Sequence, residues 1–247
     1  MMRLNSDVEL LDGMPIAHIR SLSMIVVSDL HLGYESHMAK RGTLIPKVNL
    51  KRIVKDLGKA IDTTGAKTIL IDGDIKNEFS RVEEDEFNEF YDIVQLIKKR
   101  GLSLILIKGN HDNFIERYRE PFGIKVFRQQ AEINGYLFFH GEELPDVKKD
   151  TRMLIMGHEH PSIGIYTTAR KEKVRCFLYG SYKRKPLLVL PAMGYFAQGT
   201  DVNLEPKGNL LSPIFKHVDI DRMEAIALGY GSTMSFGSVG KLRSARP

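Results

Sequence analysis

Five times between residues 23 and 160, a short apolar run ends in a polar segment carrying histidine, aspartate or asparagine. Ser23 to Ser28 runs into Asp29-Leu30-His31, Thr68 to Ile71 into Gly73-Asp74, and Leu102 to Ile107 into Gly109-Asn110-His111-Asp112. Tyr136 to Phe139 leads to His140-Gly141, and Arg152 to Met156 to Gly157-His158-Glu159-His160. Apolar runs this short and rich in β-branched residues read as buried strands. Polar ligand-type residues at the end of each are expected where a site lies at the carboxyl ends of strands.

Helical spacing fills the gaps between the early strands. Leu50, Ile53, Val54, Leu57 and Ile61 form one stripe, and Phe87, Phe90, Tyr91, Val94 and Ile97 a second, read as core. Ser80 with Glu83 has a capping-box pattern at the start of the second helix, and Gly101 ends it. The first twenty residues read as a hairpin turning at Asp12-Gly13, and Asn134-Gly135 marks another. Val174 to Tyr179 and Leu187 to Leu190 suggest a third, around Lys183, Arg184 and Lys185. Gly229 to Gly240 reads as a loop or mobile tail. The alternation of strand and helix, followed by antiparallel strands, defines an α/β chain.

The 247 residues suffice for one well-buried core, so residues 1–247 are expected to form a single domain. The motif-bearing part would be 23–161, with strands and a tail over 162–247. No apolar run approaches the roughly 20 residues of a membrane span, and the N-terminus lacks the basic-then-apolar pattern of a signal peptide. Cys176, the single cysteine, cannot form an internal disulfide, which points to a cytoplasmic protein. The formal charge of +5 leans toward an anionic partner. Lys183 to Lys185 read as a solvated turn, and Lys241, Arg243 and Arg246 as a frayed tail.

Together the five segments offer carboxylates, an asparagine amide and imidazoles, a donor set suited to Mn, Fe, Zn, Co or Ni. One ion would use about four of these groups, whereas two ions sharing a carboxylate would use them all. Such a pair can lower the pKa of a water and clamp a phosphoryl oxygen.

The blocks D-x-H, G-D, G-N-H-D, H and G-H-x-H, in this order, resemble the calcineurin-like metallophosphoesterase superfamily. The resemblance implies a four-layer sandwich of two packed mixed sheets flanked by helices, and hydrolysis of phosphate esters with two divalent ions, foremost Mn. It implies that Asp29, His31 and His160 hold one ion, Asn110, His140 and His158 the other, and that Asp74 bridges them. It also implies that Asn110 and His111 contact substrate, His111 protonates the leaving oxygen, and Asp112 orients that imidazole. The attacking species would be a metal-bridging hydroxide, with Asn77 a supporting residue. The segments Ser28 to Glu35 and Gly73 to Phe79 look closest to prokaryotic small phosphoesterases related to cyclic-nucleotide phosphodiesterases. Some bacterial relatives of that branch accompany a DNA ligase and are assigned to DNA repair. The absence of Asp-Arg-Gly after the second block, and Asp112 in place of Glu, argue against the protein serine/threonine phosphatase branch.

The expected function is therefore a phosphodiesterase acting on nucleic acid or nucleotides. A phosphomonoesterase on a nucleotide or small metabolite stands beside it. A non-catalytic metal-bound scaffold would be signalled by lost ligands, whereas an accessory nucleic-acid-binding subunit would show salt-dependent binding without turnover.

Overall fold

The computed structural model describes every residue except 80–82, 167–169, 198, 230 and 245–247. Among the described residues, one sheet has seven strands in chain order: β1 (Met2–Arg3), β2 (Val8–Leu10), β3 (Ala17–Ile19), β4 (Met24–Val27), β5 (Thr68–Asp72), β6 (Ser103–Ile107) and β7 (Lys125–Phe127). Strands β1 to β4 pair antiparallel, and β4 to β7 pair parallel. The second sheet has nine strands: β8 (Gln130–Ile133), β9 (Tyr136–Phe139), β10 (Met153–Met156), β11 (Pro161–Tyr166), β12 (Lys171–Tyr182), β13 (Lys185–Val189), β14 (Thr200–Asp201), β15 (Glu224–Leu228) and β16 (Thr233–Ser238). Its main path runs β14-β11-β12-β13-β10-β9-β8, with β15 and β16 added beside β12. The helices are α1 (Tyr34–Lys40), α2 (Asn49–Thr64), α3 (Glu84–Lys99), α4 (Arg119–Phe122) and α5 (Val239–Ser244).

Burial explains the uninterrupted apolar strands. In β4 and β5, alternate residues point to opposite faces. Ile25, Val27, Ile69 and Ile71 pack under Ile53 and Leu57 of α2 and Phe90, Val94 and Ile97 of α3. Val26 and Leu70 face the other way and meet Phe138, Ile155, Phe177 and Leu188 between the sheets. A strand covered on both faces needs an apolar residue at every position. The outer face of the second sheet is covered by Ile214, Phe215 and Ile220, in short 3₁₀ turns, and by Val239 of α5. The two mixed sheets therefore form the middle of a four-layer arrangement, although the fourth layer is built of short turns. Among the described residues, no helix is long and apolar enough to cross a membrane.

Several local expectations change. Helix α3 is capped by Glu83, whose side chain and that of Glu86 form the capping box; Ser80 lies outside the described residues. Tyr91 is 43% exposed, so the buried stripe is Phe90, Ile93, Val94 and Ile97. Much of Gly229 to Gly240 is not a loop: β16 pairs antiparallel with β15, and Thr233 Oγ1 donates to the Leu11 carbonyl. Those partners are remote in the chain, so local composition carried no sign of them. Arg243 is no frayed residue, since Nη2 donates to the Val202 carbonyl and Nε lies 3.0 Å from Asp221; Arg246 is outside the described residues. The Lys183-Arg184 turn opens β13 at the end opposite Val189, which pairs with Met156 just before the His158 segment. This basic turn is therefore remote from the histidine cluster.

Candidate metal centre

Parallel pairing brings the polar segments together. Asp29 and His31 follow β4, Asp74 follows β5, and Asn110 to Asp112 follow β6. His140 follows β9, while His158 and His160 follow β10, which is parallel to it. Backbone bonds zip the segments: Asp29 N to Gly73 O, His31 N to Asp74 O, and Gly157 N to His140 O. The Asp29 carboxylate crosses between the sheets, where the His158 amide donates to it at 3.1 Å.

Asp29, His31, Asp74, His158 and His160 all have positive φ, between 45° and 67°. Non-glycine residues in this region cost on the order of 1 kcal/mol or more each, and such strain concentrates at functional sites. It turns the side chains inward from the strand ends.

Two clusters of donor atoms result, each with its atoms within 4.8 Å of one another: Asp29, His31, Asp74 and His160; and Asp74, His140 and His158. Asp74 belongs to both. In the first, His160 Nε2 lies 3.1 Å from Asp29 Oδ1 and 3.3 Å from His31 Nε2. In the second, His140 Nδ1 donates to the Asp72 carbonyl at 2.9 Å, turning Nε2 to within 3.3 Å of Asp74 Oδ2. A histidine that donates one ring N–H to a carbonyl and presents its other nitrogen is oriented as metal ligands are.

These residues fit divalent ions on further grounds. The Asn110 amide oxygen is buried with no hydrogen-bond partner, a costly state unless something else satisfies it. Burial pushes the His31 and His158 imidazoles down to about 4, into the neutral form that binds metal, whereas burial of His140 and His160 is outweighed by the facing Asp74 and Asp29 carboxylates, which raise both. Burial opposes ionisation of Asp29 and Asp74, but the imidazoles of His160 and His140 outweigh it and hold both carboxyls below the usual range. Adding Mn²⁺ is accordingly expected to raise the unfolding temperature, and EDTA to reverse the rise. At a free concentration of 100 Kd a single site contributes about 2.7 kcal/mol. Thermal scans that coincide with and without Mn²⁺ would exclude metal binding here.

His111 stands outside both clusters. Its Nδ1 donates to the Asn77 carbonyl at 2.7 Å, its Nε2 lies 3.8 Å from Asp74 Oδ2, and the Phe79 ring covers it at 3.6 Å. Asp112 does not touch this imidazole, contrary to its expected role. Its Oδ1 accepts from the Ile75 and Lys76 amides and its Oδ2 from Gly109, so it braces the second and third motif segments against each other. Burial and the Asp74 charge push its pKa up to about 7. Orientation of His111 falls instead to Asn77, through its backbone, which carries no residue-type signal.

Other supports were equally hidden. Ser28 Oγ lies 2.6 Å from Asp29 Oδ2, and Glu35 caps α2 by accepting from the Val48 and Asn49 amides. The Gly194 amide donates to the Asp29 carbonyl. A cavity of about 480 Å³ opens beside the second cluster, lined by Lys108, Asn110, Asn113, Gly141 and Glu142 among others.

Two packed sheets whose strand ends converge on Asp/His clusters sharing one carboxylate define a phosphoesterase architecture. Residues 22–180 match the family described as calcineurin-like phosphoesterase, and the chain belongs to that family. It is a metal-dependent phosphoester hydrolase. The structure resembles the Pseudomonas putida nuclease MPE, with a TM-score of 0.66 and 15% identity over 93% of this chain and 94% of that one. It is also similar to YfcE, a phosphoesterase from E. coli, with a TM-score of 0.42 and 17% identity over 85% of this chain and 95% of that one. No curated protein sequence matches the chain.

Proposed function

We propose that the protein is a dinuclear phosphodiesterase acting on nucleic acid or nucleotides. The observation that carries this reading is that Asp74 is common to both donor clusters, while His111 faces the same carboxylate from outside them. Asp29, His31 and His160 would hold one divalent ion, and Asn110, His140 and His158 the other, with Asp74 contributing to both. Mn²⁺ suits this oxygen and nitrogen set, as do Fe, Zn, Co and Ni. When bound, such ions supply Lewis acidity to phosphoryl oxygens and lower the pKa of a water.

The chain's own residues do the rest. His111 in its protonated form delivers the Nε2 proton to the leaving oxygen and keeps Nδ1–H on the Asn77 carbonyl. The cavity beside Asn110 and Gly141 receives an organic arm of the ester. The choice of nucleic acid rests on the net charge of +5 and on the fold shared with a nuclease. The buried lone thiol, Cys176, suits a reducing compartment such as the cytoplasm, and the chain is read as one domain throughout.

The test is Mn²⁺-dependent hydrolysis of bis-p-nitrophenyl phosphate against p-nitrophenyl phosphate, followed by single- and double-stranded DNA. Faster turnover of the diester is expected. A preference for the monoester would replace this reading with a phosphomonoesterase. Silence on both with Mn²⁺, Ni²⁺, Co²⁺ and Zn²⁺ would overturn broad diesterase activity and leave a very selective enzyme or a metal-bound scaffold.

A further inference from the structure

Four consecutive amides beside His111 are each held by a carboxylate. Those of Ile75 and Lys76 donate to Asp112, and those of Asn77 and Glu78 donate to Glu86 Oε1 at 3.1 and 2.7 Å. Glu86 belongs to none of the five motif segments. It sits in the first turn of α3 and is 3% exposed; its Oε2 accepts from the Glu83 amide and lies 3.7 Å from Lys76 Nζ. The Lys76 ammonium, as deeply buried, donates to the Glu78 carbonyl at 2.7 Å. A buried pair of this kind adds little net stability. The turn is braced from two sides: its backbone pairs with Leu32, the Asn77 amide donating to the Leu32 carbonyl at 3.1 Å as well as to Glu86, and the Glu78 amide is held by Glu86.

The turn carries both groups that touch the His111 ring. Asn77 supplies the carbonyl that accepts from Nδ1, and Phe79 supplies the ring that covers the imidazole face. Gly33 lets the carboxylate reach the turn: it has φ +78°, and a Cβ there would lie 2.3 Å from Glu86 Cγ. Gly33, two residues past the first motif segment, is thus required by a side chain from a distant helix.

We propose that Glu86 is a positioning residue for proton delivery: by holding the 75–79 turn it fixes the Asn77 carbonyl on His111 Nδ1 and leaves Nε2 facing the leaving oxygen. This rests on the reading of His111 as the proton donor. Glu86 touches neither substrate nor the metal clusters, and the proton it helps to deliver comes from His111.

The experiment compares bis-p-nitrophenyl phosphate with diphenyl phosphate under saturating Mn²⁺ for wild type, His111→Ala, Glu86→Ala and Glu86→Gln. p-Nitrophenolate leaves readily without a proton, whereas phenolate needs one. His111→Ala is expected to lose about 10²-fold or more on diphenyl phosphate and much less on the nitrophenyl ester. Glu86→Ala is expected to show the same unequal loss, about 10-fold or more on diphenyl phosphate. Glu86→Gln keeps an oxygen for the Asn77 and Glu78 amides but removes the carboxylate charge 3.7 Å from Lys76 Nζ, so its loss is smaller and still unequal. This near-isosteric variant carries the comparison should Glu86→Ala not fold.

Ring ¹⁵N shifts of His111 give a reading independent of turnover. Nδ1 protonation in wild type and mixed tautomers in either Glu86 variant support the inference; identical shifts overturn it. Equal losses on both esters in the Glu86 variants, with His111→Ala unequal, also overturn it and leave the role of His111 standing. Equal losses in His111→Ala overturn that role and the inference with it.

Discussion

Asp74→Asn is expected to abolish turnover, lowering kcat on bis-p-nitrophenyl phosphate by roughly 10³-fold, well beyond the 10- to 100-fold typical of losing a supporting partner. Asp74 is the carboxylate that the two clusters share, and it is 2% exposed. An amide in its place presents one oxygen acceptor and no charge, so it cannot serve two cations at once. The substitution is sterically conservative, and the His111 amide, which donates to Asp74 Oδ1 at 2.9 Å, keeps a partner. The fold should therefore survive while metal content drops from two ions per chain to one or fewer. Elemental analysis of the purified protein, together with steady-state rates, checks both halves. A variant that retains two ions and near-normal kcat would remove Asp74 from the shared position.

Gly157→Ala should be the most damaging single-methyl change at the site. A Cβ at this position would lie 1.7 Å from Ser28 Oγ and 2.7 Å from Asp29 Oδ2. Ser28 is fully buried and is held between Asp29 and the Asp72 carbonyl, so it has no room to retreat. The Asp29 carboxylate would have to move, and with it the His158 amide that donates to it. Overpacking of this kind costs about 1–3 kcal/mol, occasionally more, and the upper end is expected here because both neighbours are pinned. Urea unfolding without metal would read the loss of stability, and Mn²⁺ titration the loss of affinity. An unchanged urea midpoint would mean that the strand ends are far more yielding than their hydrogen bonds imply.

These two positions also show how unevenly the chain reveals itself. Asp74 was legible because it ends a compact apolar run and belongs to a series of five such endings. Each is a local pattern, and parallel pairing of β4, β5 and β6 needs only that their apolar runs be continuous. Gly157 was legible as a neighbour of ligands, yet the reason for it, Ser28 Oγ across the sheet interface, was not. Glu86 is one of three consecutive acids in the first turn of α3, where acids are common, so its residue type alone marks no special role. Asp112 was expected to turn toward the adjacent imidazole and instead holds amides of the second segment. The Thr233–Ser238 strand reads as a glycine- and serine-rich tail until β15 is placed beside it.

The sequence by itself determined the α/β class, the five strand-end segments and their donor chemistry, because apolar periodicity and residue type are written locally. Only the tertiary structure decided that His111 is oriented by a backbone carbonyl, that Asp112 holds amides of the second segment, and that a carboxylate from α3 accepts from the amides of the turn bearing that carbonyl. Those outcomes depend on backbone groups and long-range registers. Every residue carries the same N–H and C=O apart from proline, so their partners cannot be read from residue type and follow only once the sheets are packed.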